Sequence, residues 1–197
     1  RDVHGLAALW TTLDATPQFY PLTHTILWIE YALWGLDPRG YHLVGALFHA
    51  ASAILLWRIL RLLGIPGAWL AAAVFAVHPV QVESVAWITE QKNTLSGLFY
   101  LAAARVFLGW TEGGRRDRPR PVLASALYAA ALLSKTVTST LPIGLGIVLW
   151  WKHGRIEKRE IAWLAPLLGV GAILAAATRH LEKTQIGATG AEWALTL

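Results

Sequence analysis

The 197 residues contain no cysteine and no methionine. Without cysteine there is no disulfide framework and no thiol chemistry, and nothing marks a redox compartment. Without methionine, a chain starting at Arg1 is expected to be a fragment of a larger protein, with at least one membrane span upstream. No signal-peptide pattern is read at Arg1 to Pro38 either, since that stretch lacks a basic run followed by an apolar core. Charge is scarce: Asp, Glu, Lys and Arg make up 15% of the chain, against roughly 25% in an ordinary soluble domain. That deficit, with 55% hydrophobic residues, predicts an all-α integral membrane protein. Eleven Trp fit the same class, since Trp concentrates at membrane–water interfaces.

A net charge of +5 would raise nucleic acid as a partner of a soluble protein. Here the basic residues sit in short loops between apolar runs, the pattern that orients a chain in a lipid bilayer, so no nucleic-acid partner is expected. Residues 1–40 read as an outer loop with interfacial helices. Val3, Leu6, Leu9, Trp10 and Leu13 recur at helical spacing, and a second helix closes at Gly35. Residues 41–178 read as a polytopic bundle of about six spans, near 41–63, 67–78, 94–110, 121–134, 137–151 and 161–178. Residues 179–197 form a second outer segment. The stretch 122–151 is one long helix or two short ones broken at Ser134-Lys135-Thr136. Two crossings put the Arg115–Arg120 loop and the Lys152–Glu160 loop on one side. The three inner connections then hold ten of the 17 Lys and Arg residues, as the positive-inside rule prefers. Arg105, near the end of its span, is placed where a long side chain can snorkel.

On this topology three outer segments share one face of the membrane. They bring His24 and Glu30, the polar run from His78 to Asn93, and Lys135 towards a common site. Pro79 is expected to end the preceding apolar run at Val77 or His78. Glu83 and Glu90, seven residues apart, would share a face of a short interfacial helix. Lysine binds phosphate as a point charge and a carboxylate can accept a proton from a hydroxyl, so the set suits a lipid-phosphate-linked substrate. Plainer readings stand beside this one. The charges of 78–93 could merely terminate helices, Lys135 could be a snorkelling lysine, and Glu30 could pair structurally with a His or Arg. His42 and His49 lie roughly 10.5 Å apart along a helix axis, too far to share one ion, so no metal site is expected.

The run His78-Pro79-Val80-Gln81-Val82-Glu83-Ser84-Val85-Ala86-Trp87-Ile88, followed by Lys92-Asn93-Thr94-Leu95-Ser96, resembles the transmembrane and tetratricopeptide-repeat O-mannosyltransferases and their bacterial relatives. Tyr20-Pro21-Leu22-Thr23, Gly40-Tyr41-His42-Leu43 with His49, and Ser134-Lys135-Thr136 are similar to further family positions in the same order. The resemblance implies a glycosyltransferase of the GT-C fold. It would move a sugar, typically mannose, from a polyprenyl-phosphate carrier to a protein hydroxyl with inversion, on the lumenal or periplasmic side. Its partners would be the lipid bilayer, the lipid-linked sugar and a protein acceptor, and it forces no metal or other cofactor. On this reading Lys135 and Lys92 would bind the lipid phosphate, Glu83 and His78 would shape the site or contact the sugar and acceptor, and His24, His42 and Glu90 are further substrate-binding candidates. Gln91 stands where relatives often carry a basic residue. The family's catalytic Asp is expected upstream of Arg1, with Asp2 the nearest acid, and no tetratricopeptide repeat is visible here. The bacterial relatives look closer, which implies a bacterial inner membrane. The rival class is a non-enzymatic module, either a transporter or a lipid-binding anchor for a repeat domain.

Overall fold

The computed structural model describes residues 3–11, 19–113 and 119–185. Those residues form helices and turns, with no strand among them. Helix α1 (Val3–Thr11) leans on α2 (Pro21–Trp34), where the Trp10 indole N–H donates to Thr25 Oγ1 at 3.0 Å. Pro21 opens α2 at a position where a missing N–H costs nothing, and Gly35 closes it with φ 58°. Asp37 then caps α3 (Pro38–Leu62), its side chain accepting from the Arg39 N–H at 3.0 Å, again with proline in the first turn. Gly64 and Gly67, both at positive φ, turn the chain into α4 (Ala68–Val77).

Pro79 ends α4 where the sequence predicts. The chain bends by 49° between α4 and the 79–86 segment, which contains the short helix α5 (Val82–Ala86). Trp87 is extended (φ −95°, ψ 121°), and a 3₁₀ turn over Ile88–Glu90 leads into α6 (Gln91–Glu112). Helices α7 (Pro119–Ser134), α8 (Leu141–His153) and α9 (Lys158–Gln185) complete the described chain. Lys135 is extended, and a 3₁₀ turn over Thr136–Thr140 joins α7 to α8, so residues 122–151 are two helices rather than one.

Helix α6 is the centre of the bundle. Its Ala103, Phe107, Leu108 and Trp110 are buried together with Tyr128 and Leu132 of α7, Leu145 and Leu149 of α8, and Leu164 of α9. By contrast, α3 and α9 are long and apolar enough to cross a membrane, yet only 22% and 17% of their apolar windows are buried inside the protein. Such outward-facing apolar helices require lipid against them. The bent α4–α5 pair adds a third candidate span. Helices α7 and α8, of 16 and 13 residues, reach only about 24 and 20 Å at 1.5 Å per residue, short of a ~30 Å hydrocarbon core. Helix α6 is long enough, but polar groups such as Gln91, Lys92, Asn93, Arg105 and Glu112 lower its hydropathy.

Side-chain bonds gather the helix ends into two groups. At one end, Thr23 Oγ1 donates to the Ser134 carbonyl at 2.9 Å and Gln91 Nε2 to Glu30 Oε1 at 2.6 Å. At the other, Lys152 Nζ meets Glu112 Oε2 at 2.7 Å and donates to the Leu62 carbonyl at 3.2 Å, while His153 Nε2 lies 3.2 Å from Glu112 Oε1.

Candidate functional site

The first of these ends holds the polar residues singled out in the sequence. Its hub is Asn93, in the first turn of α6. Asn93 Nδ2 donates to Ser84 Oγ at 3.0 Å and to Glu90 Oε2 at 2.9 Å, and Asn93 Oδ1 accepts from Lys135 Nζ. The amide orientation follows from chemistry, since an ammonium can only donate and a carboxylate only accept. Glu90 Oε1 also pairs with Lys92 Nζ at 3.1 Å. Two lysines from different parts of the chain therefore converge through one amide and one carboxylate. The charged cluster of Lys92, Lys135 and Glu90 carries a surplus positive charge, the electrostatics of an anion site.

Lys135 reaches this place because the chain is extended between α7 and the following 3₁₀ turn. That turn is held from behind: the buried Tyr128 hydroxyl lies 3.3 Å from both the Ser139 carbonyl and the Leu167 carbonyl of α9. His24 of α2 belongs to the same end. Burial, and secondarily the positive charge of Lys92, hold its pKa below the usual imidazole value of 6.5, so it is neutral at pH 7.

The remaining sequence candidates are placed differently. The exposed His78 accepts the Val80 N–H on Nδ1 at 3.2 Å, capping the turn that Pro79 opens. Glu83 is exposed in α5, and no side-chain partner for it occurs among the described residues. The expected shared face for Glu83 and Glu90 does not form, because extended Trp87 separates α5 from the 3₁₀ turn that carries Glu90. His42 is exposed in the first turns of α3. His49, two turns on, is buried, with Nε2 3.0 Å from the Ala76 carbonyl in the last turn of α4. A carbonyl only accepts, so Nε2 carries the proton. The Pro79 break explains the bond, because Val80 N–H, which would have served Ala76 in a continuing helix, turns to His78 instead. No group of three or more His, Cys, Asp or Glu suited to a metal occurs among the described residues. Asp2 lies outside them.

Glu30 corrects one expectation. Its partner is Gln91, not a His or Arg, and both side chains are buried. Glu30 Oε2 and Gln91 Oε1 are each buried without a hydrogen-bond partner among the described residues. Burial raises the Glu30 pKa above its ordinary 4.5, and the Gln91 bond only partly opposes that rise. A proton on Oε2 would make it a donor for the orphaned Gln91 Oε1. The sign follows: this pair's stabilisation is complete below pH 4.5 and is lost as pH rises through the higher folded-state pKa. Glu30→Gln should therefore remove that pH dependence and be at least as stable at pH 7. Glu30→Leu, which strands Gln91, should cost about 1–3 kcal/mol. Unfolding midpoints across pH 4–8 would test both; a steeper pH dependence in Glu30→Gln would refute the assignment.

Two adjoining cavities lie beside the cluster. One of about 230 Å³ is lined by Asn93, Ser84, Thr94, Tyr100 and His49. Another of about 310 Å³ is bordered by His49, His78, Gln81 and Val82. The residues that sequence reasoning left without a role are thus Asn93, Ser84 and Tyr100. Asn93 directly follows Lys92 in the polar run, but nothing local says that it bridges to a lysine 42 positions away.

A chain whose described residues are helical, with long apolar helices facing outward, is a membrane protein, and two lysines gather at one end of its bundle. The comparisons with known proteins give the particular family. The family model for dolichyl-phosphate-mannose-protein mannosyltransferases matches residues 16–178, and the chain belongs to that family. It is 34% identical over 122 residues to the Mus musculus protein O-mannosyl-transferase TMTC3, covering 59% of this chain and 13% of that protein. It is 31% identical over 147 residues to Drosophila melanogaster protein O-mannosyl-transferase Tmtc2, covering 68% of this chain and 15% of that protein. With Xenopus laevis protein O-mannosyl-transferase tmtc2 the figures are 34% over 105 residues, 50% and 13%. The chain thus spans a small part of these relatives' length. No solved structure matches it.

Proposed function

We propose that this chain is the donor-binding part of a GT-C-type membrane glycosyltransferase, which transfers mannose from a polyprenyl-phosphate carrier to a protein hydroxyl on the outer side of a bacterial inner membrane. The observation that carries this reading is the convergence of Lys92 and Lys135 on Asn93 and Glu90, beside cavities at one end of the bundle. About six crossings, with α7 and α8 as short spans bordering a thinned bilayer, would put that end at the outer face.

The chemistry fits such a donor. A polyprenyl-phosphate sugar carries one negative charge on its phosphodiester. As the bond between the anomeric carbon and the phosphate oxygen breaks, the leaving phosphate gains a second. The acceptor oxygen attacks from the opposite face, which inverts the anomeric centre, and its proton passes to a base that lies outside the described residues. Two lysine charges interact more strongly with the departing dianion than with the bound donor, so they lower the barrier rather than only tightening binding. Asn93 and Glu90 act as positioning residues for the lysines. His78, exposed at the border of the larger cavity, and Glu83, exposed on α5, are offered to the sugar or the acceptor. Neutral His24 lines the same end, and His42 stands further out on α3.

The test is saturable binding of polyprenyl-phosphate mannose by the full-length protein in nanodiscs, beside polyprenyl phosphate and polyprenol, followed by transfer to a Ser/Thr peptide. Binding should require the phosphate. Asn93→Ala should lower transfer by about 10- to 100-fold, the cost of losing charged hydrogen bonds. Equal retention of polyprenol would move the protein to the lipid-anchor class, and solute flux without transfer would make it a transporter.

A further inference from the structure

The opposite end of the bundle holds a second concentration of positive charge that the proposed reaction does not use. Two adjoining cavities of about 470 and 340 Å³ share Leu62 and Arg105. Arg58 and Arg61 of α3 line the smaller one, and Arg120 of α7 lines the larger. Glycines in α6 and at its C-terminal cap leave room for two of these groups. A Cβ at Gly109 would fall 2.7 Å from Arg105 Nη1, and one at Gly113 would fall 3.1 Å from Arg120 Nη1. Arg105 Nε is buried and has no hydrogen-bond partner among the described residues. A buried guanidinium N–H left unmade is costly, and a ligand oxygen would satisfy it. Rather than snorkelling freely, Arg105 is held at the junction of the two cavities.

Among the described lining residues the one acid is Glu112, which is already engaged by Lys152 at 2.7 Å and His153 at 3.2 Å. We propose that Arg58, Arg61 and Arg105 form a binding site for the phosphate of an anionic phospholipid headgroup, separate from the Lys92–Lys135 cluster. Guanidinium groups suit this ligand because their paired N–H groups match phosphate oxygens. Position favours a lipid over free phosphate. Arg58 and Arg61 are exposed in the last turns of α3, a candidate span ending at Leu62, so they stand at headgroup level. The Arg61 guanidinium lies 5.3 Å over the Trp57 ring, an aromatic of the kind that settles at that depth.

The experiment is thermal unfolding of delipidated full-length protein in neutral detergent, titrated separately with short-chain phosphatidylglycerol, phosphatidylcholine and inorganic phosphate. Phosphatidylglycerol should raise the midpoint saturably and phosphatidylcholine should not. Arg58→Gln/Arg61→Gln should raise the half-saturating phosphatidylglycerol concentration by at least about tenfold, as loss of charged contacts predicts. Both positions are exposed, so this double variant keeps the core even if Arg105→Gln fails to fold. Equal shifts from the two lipids, or an unchanged titration in the double variant, would overturn the site. A shift from inorganic phosphate as large as that from phosphatidylglycerol would assign the pocket to free phosphate instead.

Discussion

Lys135→Ala is expected to weaken binding of polyprenyl-phosphate mannose by about 10- to 100-fold while leaving the fold in place. A charged hydrogen bond is worth about 1.5–3 kcal/mol, and each 1.4 kcal/mol is a factor of ten in affinity. Folding should be largely spared because Lys135 is only half-buried and sits between helices, not within the packed core. Its partner Asn93 keeps its bonds to Ser84 and Glu90. A lysine that merely snorkels would give no loss of donor affinity on truncation. Binding isotherms in nanodiscs, with unfolding midpoints on the same samples, separate the two cases. Unaltered donor affinity would remove Lys135 from the site, whereas lost affinity with an unshifted midpoint would establish its role.

Gly171→Ala is expected to destabilise the protein by about 1–3 kcal/mol, the usual cost of forcing extra volume into a packed interior. A Cβ there would overlap the Tyr128 hydroxyl oxygen and approach Ser139 Cβ and Cα to 3.2 and 3.3 Å. Alanine improves on glycine in a helix by up to about 1 kcal/mol, which opposes the effect. The clash prevails because Tyr128 is 1% exposed and its ring cannot swing aside. Moving it also costs the contacts of its hydroxyl with the Ser139 and Leu167 carbonyls. Tyr128→Phe removes the clashing atom, so the Y128F/G171A double variant should recover much of the loss, a non-additivity expected of touching residues. Ser139 lies in the turn that follows Lys135, so donor binding should weaken along with stability in Gly171→Ala. Denaturation midpoints of the three variants test the packing; equal, additive losses would reject it.

Helix breaks and caps were legible because local chemistry decides them. Pro79 ends α4, Gly35 closes α2, and Lys135 interrupts what could have been one helix. A missing N–H at Pro79 and a positive φ at Gly35 act on their own neighbours, whereas the break at Lys135 follows from the spread of basic residues over two distant loops. The seven-residue argument for Glu83 and Glu90 failed for the complementary reason. It assumed a continuous helix, and one extended residue, Trp87, gave the two carboxylates different surroundings.

By itself, then, the sequence determined the membrane class, some helix ends such as that at Pro79, and the gathering of ionisable residues into a few short segments, because hydropathy and backbone propensity are local properties. Only the tertiary structure decided which of those residues meet. Asn93 joins Lys135 across 42 positions, Glu30 joins Gln91 across 61, and Lys152 reaches the Leu62 carbonyl across 90. Such pairings depend on which helix faces pack against α6, and that is set by the fit of side chains like Trp110, Phe107 and Tyr128 in a common core. Periodicity shows that a helix has a face; packing chooses its neighbour.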